Sequence, residues 1–333
     1  QPSYAIDSVA NGYGLLIPQF PIAYFPFPVS CSLMPRILLT GKTGQVGWEL
    51  QRALAPLGNL TALGRGEMNH GDPDSIRAAI RGTKPDIIVN AAGYTTVDKA
   101  ESEPDLVMQV NAVAPGILAE EAKRAGALLV HYSTDYVYDG EQEWPYTEDD
   151  ATNPVNTYGK SKLAGERAIQ AVGGMHLILR TSWVYSARGS NFVLAILRLA
   201  REKPVLPVVN DQVGSPNWAR ALADSTAELL RRRHLIPGDG SVYHLSASGH
   251  TSRYEFAQAI IRIMKELSGT ADGWAEIQPI TSGQYPLPAR RPRNPVTDKS
   301  KMKRVFGIEM PHWEAQLESF LRRSPSSRNA ISA

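Results

Sequence analysis

Tyr158 and Lys162 stand four residues apart in the stretch Asn156-Thr157-Tyr158-Gly159-Lys160-Ser161-Lys162. The residues after Thr157 read as a helix, on which positions i and i+4 share a face. A phenol is thereby set beside an ammonium. The positive charge favours the phenolate and is expected to draw the Tyr158 pKa down from its usual value of roughly 10. A tyrosine tuned in this way gives a proton to a carbonyl oxygen or takes one from an alcohol. The run Tyr132-Ser133-Thr134-Asp135-Tyr136 brings more hydroxyls, and Thr134 can hydrogen-bond the same carbonyl. Each feature alone has a plain structural explanation: Tyr-x-x-x-Lys arises by chance in helices, and a threonine at a strand end commonly caps a turn. Their joint presence carries the weight.

A second group suits a dinucleotide. Gly41-Lys42-Thr43-Gly44-Gln45-Val46-Gly47 joins the apolar run Arg36–Thr40 to a helix expected over Gln45–Leu57. Glycines there allow positive φ and close approach to a pyrophosphate, and the helix start offers unpaired N–H groups. A P-loop is excluded, because Gly-x4-Gly-Lys-Ser/Thr would need glycine where Arg36 stands. Gly41, Gly44, Gln45, Val46 and Gly47 are therefore expected to bind a cofactor. The second strand ends Leu63-Gly64-Arg65-Gly66, with no carboxylate at its tip to bond the ribose hydroxyls of NAD. Arg65 suits a 2′-phosphate, so NADPH is the expected cofactor, acceptance of NADH being the alternative. Asn69 and His70 are expected to flank the adenine. Ala91, Ala92 and Gly93 line the cofactor with backbone at the end of the third strand, and Tyr94, Thr95 and Asn191 line the site.

The elements that must hold these residues alternate. Strands are expected over 36–40, 60–63, 86–90, 127–133 and 176–180. Helices are expected over 45–57, from Pro73 to about Arg81, over 104–124 with a bend at Pro115, and after Thr157. This alternation implies an α/β fold, a Rossmann-type doubly wound parallel sheet covered on both faces, over residues 34–185. Looser spacing follows, with helices expected over 192–201, 219–233 and 252–267. Residues 186–325 read as a smaller α+β lobe, mainly for substrate, from which some strands return to the sheet. Residues 1–33 stand apart, with one charge (Asp7) and five prolines. They read as a non-native or disordered leader ahead of Met34.

Composition narrows the function classes. The 333 residues carry 35 basic and 33 acidic side chains, a net charge of +2. That balance gives no electrostatic case for nucleic acid or a membrane surface. The single cysteine, Cys31, permits no internal disulfide and suits a cytoplasmic protein. No Cys-x-x-Cys occurs and no two histidines are spaced i, i+4, so no metal is expected.

Several longer segments are more specific: Gly41-Lys42-Thr43-Gly44-Gln45-Val46-Gly47-Trp48-Glu49-Leu50, Val97-Asp98-Lys99-Ala100-Glu101, Ser133-Thr134-Asp135-Tyr136-Val137 and Arg180-Thr181-Ser182-Trp183-Val184-Tyr185. Further on come Asn210-Asp211-Gln212, Gly214-x-Pro216 and Ala289-Arg290-Arg291-Pro292-x-Asn294. On these the chain resembles the extended short-chain dehydrogenase/reductase family, and within it the dTDP-4-dehydrorhamnose reductases, over about residues 34–322. The resemblance implies an oxidoreductase that reduces the C4 keto group of dTDP-4-dehydro-β-L-rhamnose to dTDP-β-L-rhamnose. It implies that Tyr158 protonates the oxygen, Lys162 holds the nicotinamide ribose and Thr134 orients the carbonyl. Asp135 and Trp183 fall near the sugar, and Arg290 and Arg291 at the diphosphate. Some members bind Mg²⁺ between subunits through two glutamates. Glu49 matches the first, but Arg220 stands at the second, so no such metal is expected, and a homodimer is kept as the assembly to test. Two other readings share this fold. A dehydratase or epimerase would need a second carboxylate after Asp135, where Tyr136 stands. A non-catalytic regulatory subunit, of the methionine adenosyltransferase type, would act by association.

Overall fold

The structure is a computed structural model that describes residues 34–323 apart from 239 and 271. The leader expected over 1–33 lies outside the described residues. From Met34 the chain forms β1 (Arg36–Thr40), α1 (Gln45–Leu54), β2 (Asn59–Leu63), α2 (Pro73–Thr83) and β3 (Ile87–Asn90). Next come α3 (Val97–Ala100), α4 (Pro104–Met108), α5 (Ala114–Ala125), β4 (Leu128–Thr134), α6 (Thr157–Val172) and β5 (His176–Thr181). The later elements are β6 (Val184–Tyr185), α7 (Phe192–Glu202), β7 (Val205–Val209), β8 (Val213–Gly214), β9 (Asn217–Trp218), α8 (Ala219–Arg231), β10 (Ser241–His244), β11 (Thr251–Ser252), α9 (Arg253–Ser268), β12 (Glu276–Ile280), α10 (Ser300–Phe306) and α11 (Trp313–Arg323).

Six strands form one parallel sheet in the order β10-β5-β4-β3-β1-β2. Strand side chains alternate between faces. Ile37 and Leu39 join a core with Leu50 and Leu54 of α1 and Leu222 of α8, while Leu38 joins the opposite core with Ile76 of α2, Ile117 of α5 and Ile169 of α6. Burial on both faces is why these strands read as unbroken apolar runs. A third cluster unites α7, α9 and α11 around Phe256 and Phe320. The sixth strand, β10, arrives from beyond α8 and lies beside β5.

The helix expected over 104–124 is broken. Residues Gln109–Val113 form a π-turn between α4 and α5. Pro115 explains it, since it has no N–H to give the Asn111 carbonyl four residues back. A side chain at Gly165 of α6 would collide with that carbonyl, so α6 packs directly on the turn.

Strand order reverses at β1, which has β2 on one side and β3 on the other. In open α/β sheets a crevice opens at the carboxyl ends of such strands, and ligands bind there.

Candidate active site

The glycine turn sits at that crevice. Gly41 has φ +74°, and a Cβ there would lie 2.7 Å from the Ala92 nitrogen at the end of β3. A side chain on Gly47 would strike the Gly41 carbonyl. Gly44 begins α1 with no side-chain cap and no acidic residue in the first turn. The cradle is thus narrow, backbone-lined and electropositive, as a pyrophosphate requires. Gln45 plays another part: its Oε1 accepts from Ser186 Oγ (3.1 Å) and Asn191 Nδ2 (3.0 Å), tying the turn to the segment after β6.

The tip of β2 corrects one expectation. A carboxylate is present there after all: Glu67, three residues past Gly64, folds back to accept from Gly64 N at 2.8 Å. It is neutralised by Lys42, 2.6 Å away, and Lys42 first, then the Gly64 N–H, hold its pKa below the usual carboxylate range. Arg65 is exposed beside it and makes no ion pair among the described residues. Asn69 is exposed and closes its own turn onto Gly71 N. His70, by contrast, is buried (6% exposed), with both ring nitrogens unpartnered. Burial, with help from Lys162, pushes its pKa down to about 4. Ala91 and Ala92 are partly covered, and Gly93 and Thr95 are exposed. Tyr94 bonds Glu103 through its hydroxyl (2.7 Å) and Asn111 through its backbone (2.8 Å).

At the end of β4, Thr134 Oγ1 accepts from Tyr136 N and donates to Asp135 Oδ1, both at 3.1 Å. Asp135 is buried, its Oδ2 is unpartnered, and burial lifts its pKa to about 7. Tyr158 faces this turn. Its ring meets that of Tyr136 edge-on at 5.7 Å, and the Thr134 side chain lies on the same side of the turn as its hydroxyl. Asn156 caps α6, accepting from Gly159 N at 2.7 Å, and so fixes the helix phase.

The expected lowering of the Tyr158 pKa is not found. Burial pushes the phenol up, and the nearby Thr134 hydroxyl only partly offsets this. The reason is the direction of Lys162. Its Nζ donates to Tyr132 O at 2.6 Å and lies 3.2 Å from His131 Nε2, so it is engaged with the strand rather than with the phenol.

Trp183 adopts φ +39°, a costly conformation for a bulky residue and one that collects at ligand sites. Gly214 gives its indole room. The Arg253 guanidinium lies 3.6 Å over that ring. Arg290 and Arg291 part company. Arg290 is exposed and pairs with Glu141 at 2.9 Å, whereas Arg291 forks onto Asp98 at 2.7 and 3.0 Å, near Tyr136. The Val97–Glu101 segment therefore has a visible task. Asp98 holds Arg291 and Ala289 N, and Glu101 accepts from Thr157 N and Oγ1 at the start of α6.

The sequence reasoning missed Arg253, Glu67 and His131. Only Arg253 carries a local signal: a cation at the first position of a helix opposes the helix dipole, so it needs another reason to be there. Elsewhere, a groove of about 1000 Å³ lined by His250, Glu255, Arg262 and Trp313 contains none of the residues above.

The chain matches the RmlD substrate binding domain family over residues 35–325. It is 47% identical to a dTDP-4-dehydrorhamnose reductase of Burkholderia thailandensis over 283 residues, 84% of this chain and 95% of the relative. It is 45% identical to that of Escherichia coli K12 over 289 residues, 86% of this chain and 96% of the relative. A crystal structure of the Bacillus anthracis dTDP-4-dehydrorhamnose reductase in complex with NADP superposes with a TM-score of 0.80 at 32% identity, covering 87% of this chain and 99% of that one. The chain accordingly belongs to the RmlD family of the dTDP-4-dehydrorhamnose reductases.

Proposed function

We propose that this protein is an NADPH-dependent reductase that converts dTDP-4-dehydro-β-L-rhamnose to dTDP-β-L-rhamnose. The observation that carries the reading is the meeting of Thr134 and Tyr158 at the carboxyl end of the sheet that bears the glycine cradle. A reduced nicotinamide bound in that cradle supplies hydride to the C4 carbonyl carbon. Thr134 orients the carbonyl oxygen and Tyr158 gives it a proton. A neutral phenol is the form a proton donor needs, so the raised Tyr158 pKa agrees with reduction as the working direction. Arg65 takes the 2′-phosphate, and the N-terminal N–H groups of α1 take the pyrophosphate. Trp183 packs on the apolar face of the sugar. Of Arg253, Arg290 and Arg291, Arg253 makes no ion pair among the described residues and suits the diphosphate, with Arg291 held nearby by Asp98 and Arg290 turned to Glu141.

In this reading residues 34–185 serve mainly the cofactor and 186–325 mainly the substrate, with β10 completing the sheet. The assembly is a homodimer, supported by the exposed Leu106, Met108 and Val113 around the π-turn, and the activity belongs in the cytoplasm, where reduced nicotinamide is made. The relatives' names favour a reductase over a regulatory subunit, and Tyr136 in place of a second carboxylate disfavours a dehydratase. The test follows NADPH absorbance with the keto sugar nucleotide. One NADPH is consumed per sugar reduced, and Tyr158→Phe lowers kcat roughly 10²–10⁴-fold. Recycled nicotinamide, or a Phe variant with parental kcat, refutes the assignment.

A further inference from the structure

A buried polar chain runs from β1 to the catalytic lysine. Thr40 Oγ1 donates to Asn90 Oδ1 at 2.7 Å, and Ala92 N donates to the same oxygen at 3.2 Å. Asn90 Nδ2 lies 2.9 Å from His131 Nδ1, and His131 Nε2 lies 3.2 Å from Lys162 Nζ. Thr40, Asn90, His131 and Lys162 are all 5% exposed or less.

The proton positions follow from the donors available. A backbone N–H only donates, so the atom of Asn90 that faces Ala92 N is the oxygen. Asn90 then turns its amide nitrogen, a pure donor, to His131 Nδ1. His131 Nδ1 must accept, and the neutral imidazole carries its proton on Nε2. That N–H points at Lys162. An ammonium there would set donor against donor. A neutral amine accepts from Nε2–H and still donates to Tyr132 O.

We propose that His131 is a positioning residue which, locked by Asn90 as the Nε2–H tautomer, donates to Lys162 and favours the uncharged amine over the ammonium until coenzyme binds. Lys162 then takes up a proton from solvent as it turns to the ribose, becoming the ammonium that steadies the Tyr158 phenolate left after proton transfer. The surroundings agree. Burial pulls Lys162 down to about 8, the direction of the amine, which then predominates above that pH; Glu166 one turn along α6 opposes it, while His70, from the loop before α2, and His131 add no charge because burial keeps both neutral. Glu166 itself is committed to Arg180. The binding half of this proposal rests on the reductase reading; the tautomer does not.

The experiment uses the full chain. In the coenzyme-free protein, ¹⁵N-histidine spectra are expected to show His131 with a protonated Nε2 and an unprotonated Nδ1 from pH 6 to 9. An Nδ1–H tautomer or an imidazolium at pH 6 overturns the proposal, whatever the activity. Calorimetry of NADPH binding in buffers of different ionisation enthalpy is expected to show uptake rising towards about one proton per coenzyme near pH 9. Asn90→Asp keeps the shape but turns the donor into an acceptor. It is expected to flip His131 to Nδ1–H, charge Lys162 in the free protein and abolish the uptake. An unchanged tautomer and unchanged uptake in that variant refute the coupling. Should the variant not fold, the parent spectra alone decide.

Discussion

Glu166→Met tests what fixes the helix of Tyr158 and Lys162 to the sheet. Glu166 lies on α6, one turn beyond Lys162, and is 1% exposed. It receives Arg180 Nη2 at 2.6 Å and Nε at 3.0 Å from β5, and Ser133 Oγ from β4, the residue before Thr134. Arg180 keeps only the Tyr138 hydroxyl, at 2.6 Å, once the carboxylate is gone. Removing one partner strands a buried guanidinium, which costs about 3–5 kcal/mol. At 2–4 °C per kcal/mol the melting temperature is expected to fall by roughly 6–20 °C. Removing both charges is different, because desolvating two ions offsets most of their attraction. Glu166→Met with Arg180→Met is therefore expected to recover at least half of the loss. Chemical denaturation of the two single variants, the double variant and the parent measures this cycle. A single variant that loses under about 1 kcal/mol, or a double variant whose loss is the sum of the two, refutes the argument.

Three other outcomes follow from the site. Gly41→Ala forces a side chain against the Ala92 backbone at a position with φ +74°, so NADPH affinity by fluorescence titration is expected to drop more than about tenfold; parental affinity would show the turn to be unnecessary for the cofactor. Arg253→Met keeps the stack on Trp183 but removes the charge, and KM for the sugar nucleotide is expected to rise by about tenfold or more with KM for NADPH unchanged. An unaltered sugar-nucleotide KM sinks the diphosphate assignment. Asp135→Asn removes a carboxyl whose folded pKa, about 7, is above its unfolded value of 3.8. The parent is then stabilised below pH 4, and that contribution is lost as pH rises to 7, because the unfolded chain ionises first. The stability of the variant relative to the parent is expected to rise over that window and level off above it; a flat difference contradicts the burial argument.

Local chemistry was the legible part. Arg36–Thr40, the glycines after it and the four-residue spacing of Tyr158 and Lys162 are each written within one turn or strand, and the structure forms them there. What could not be read depends on chain distance. Lys162 points at Tyr132, 30 residues away, only because β4 lies under α6, whereas Glu67 reaches the strand tip through a local turn. Asp98 and Arg291 are 193 residues apart, so the arginine pair read as one basic run divides in space. The long helix failed for a local reason, since Pro115 acts on Asn111 rather than on itself.

The short helix α3 and the residue after it clasp both sides of the cleft, Asp98 on Arg291 and Glu101 on the first residue of α6. Chimaeras joining the amino-terminal part of one relative to the carboxy-terminal part of another must therefore transplant this clasp together with its arginine. A library that shuffles the two independently would leave the clasp mismatched and the reacting groups out of phase, even where both parents fold.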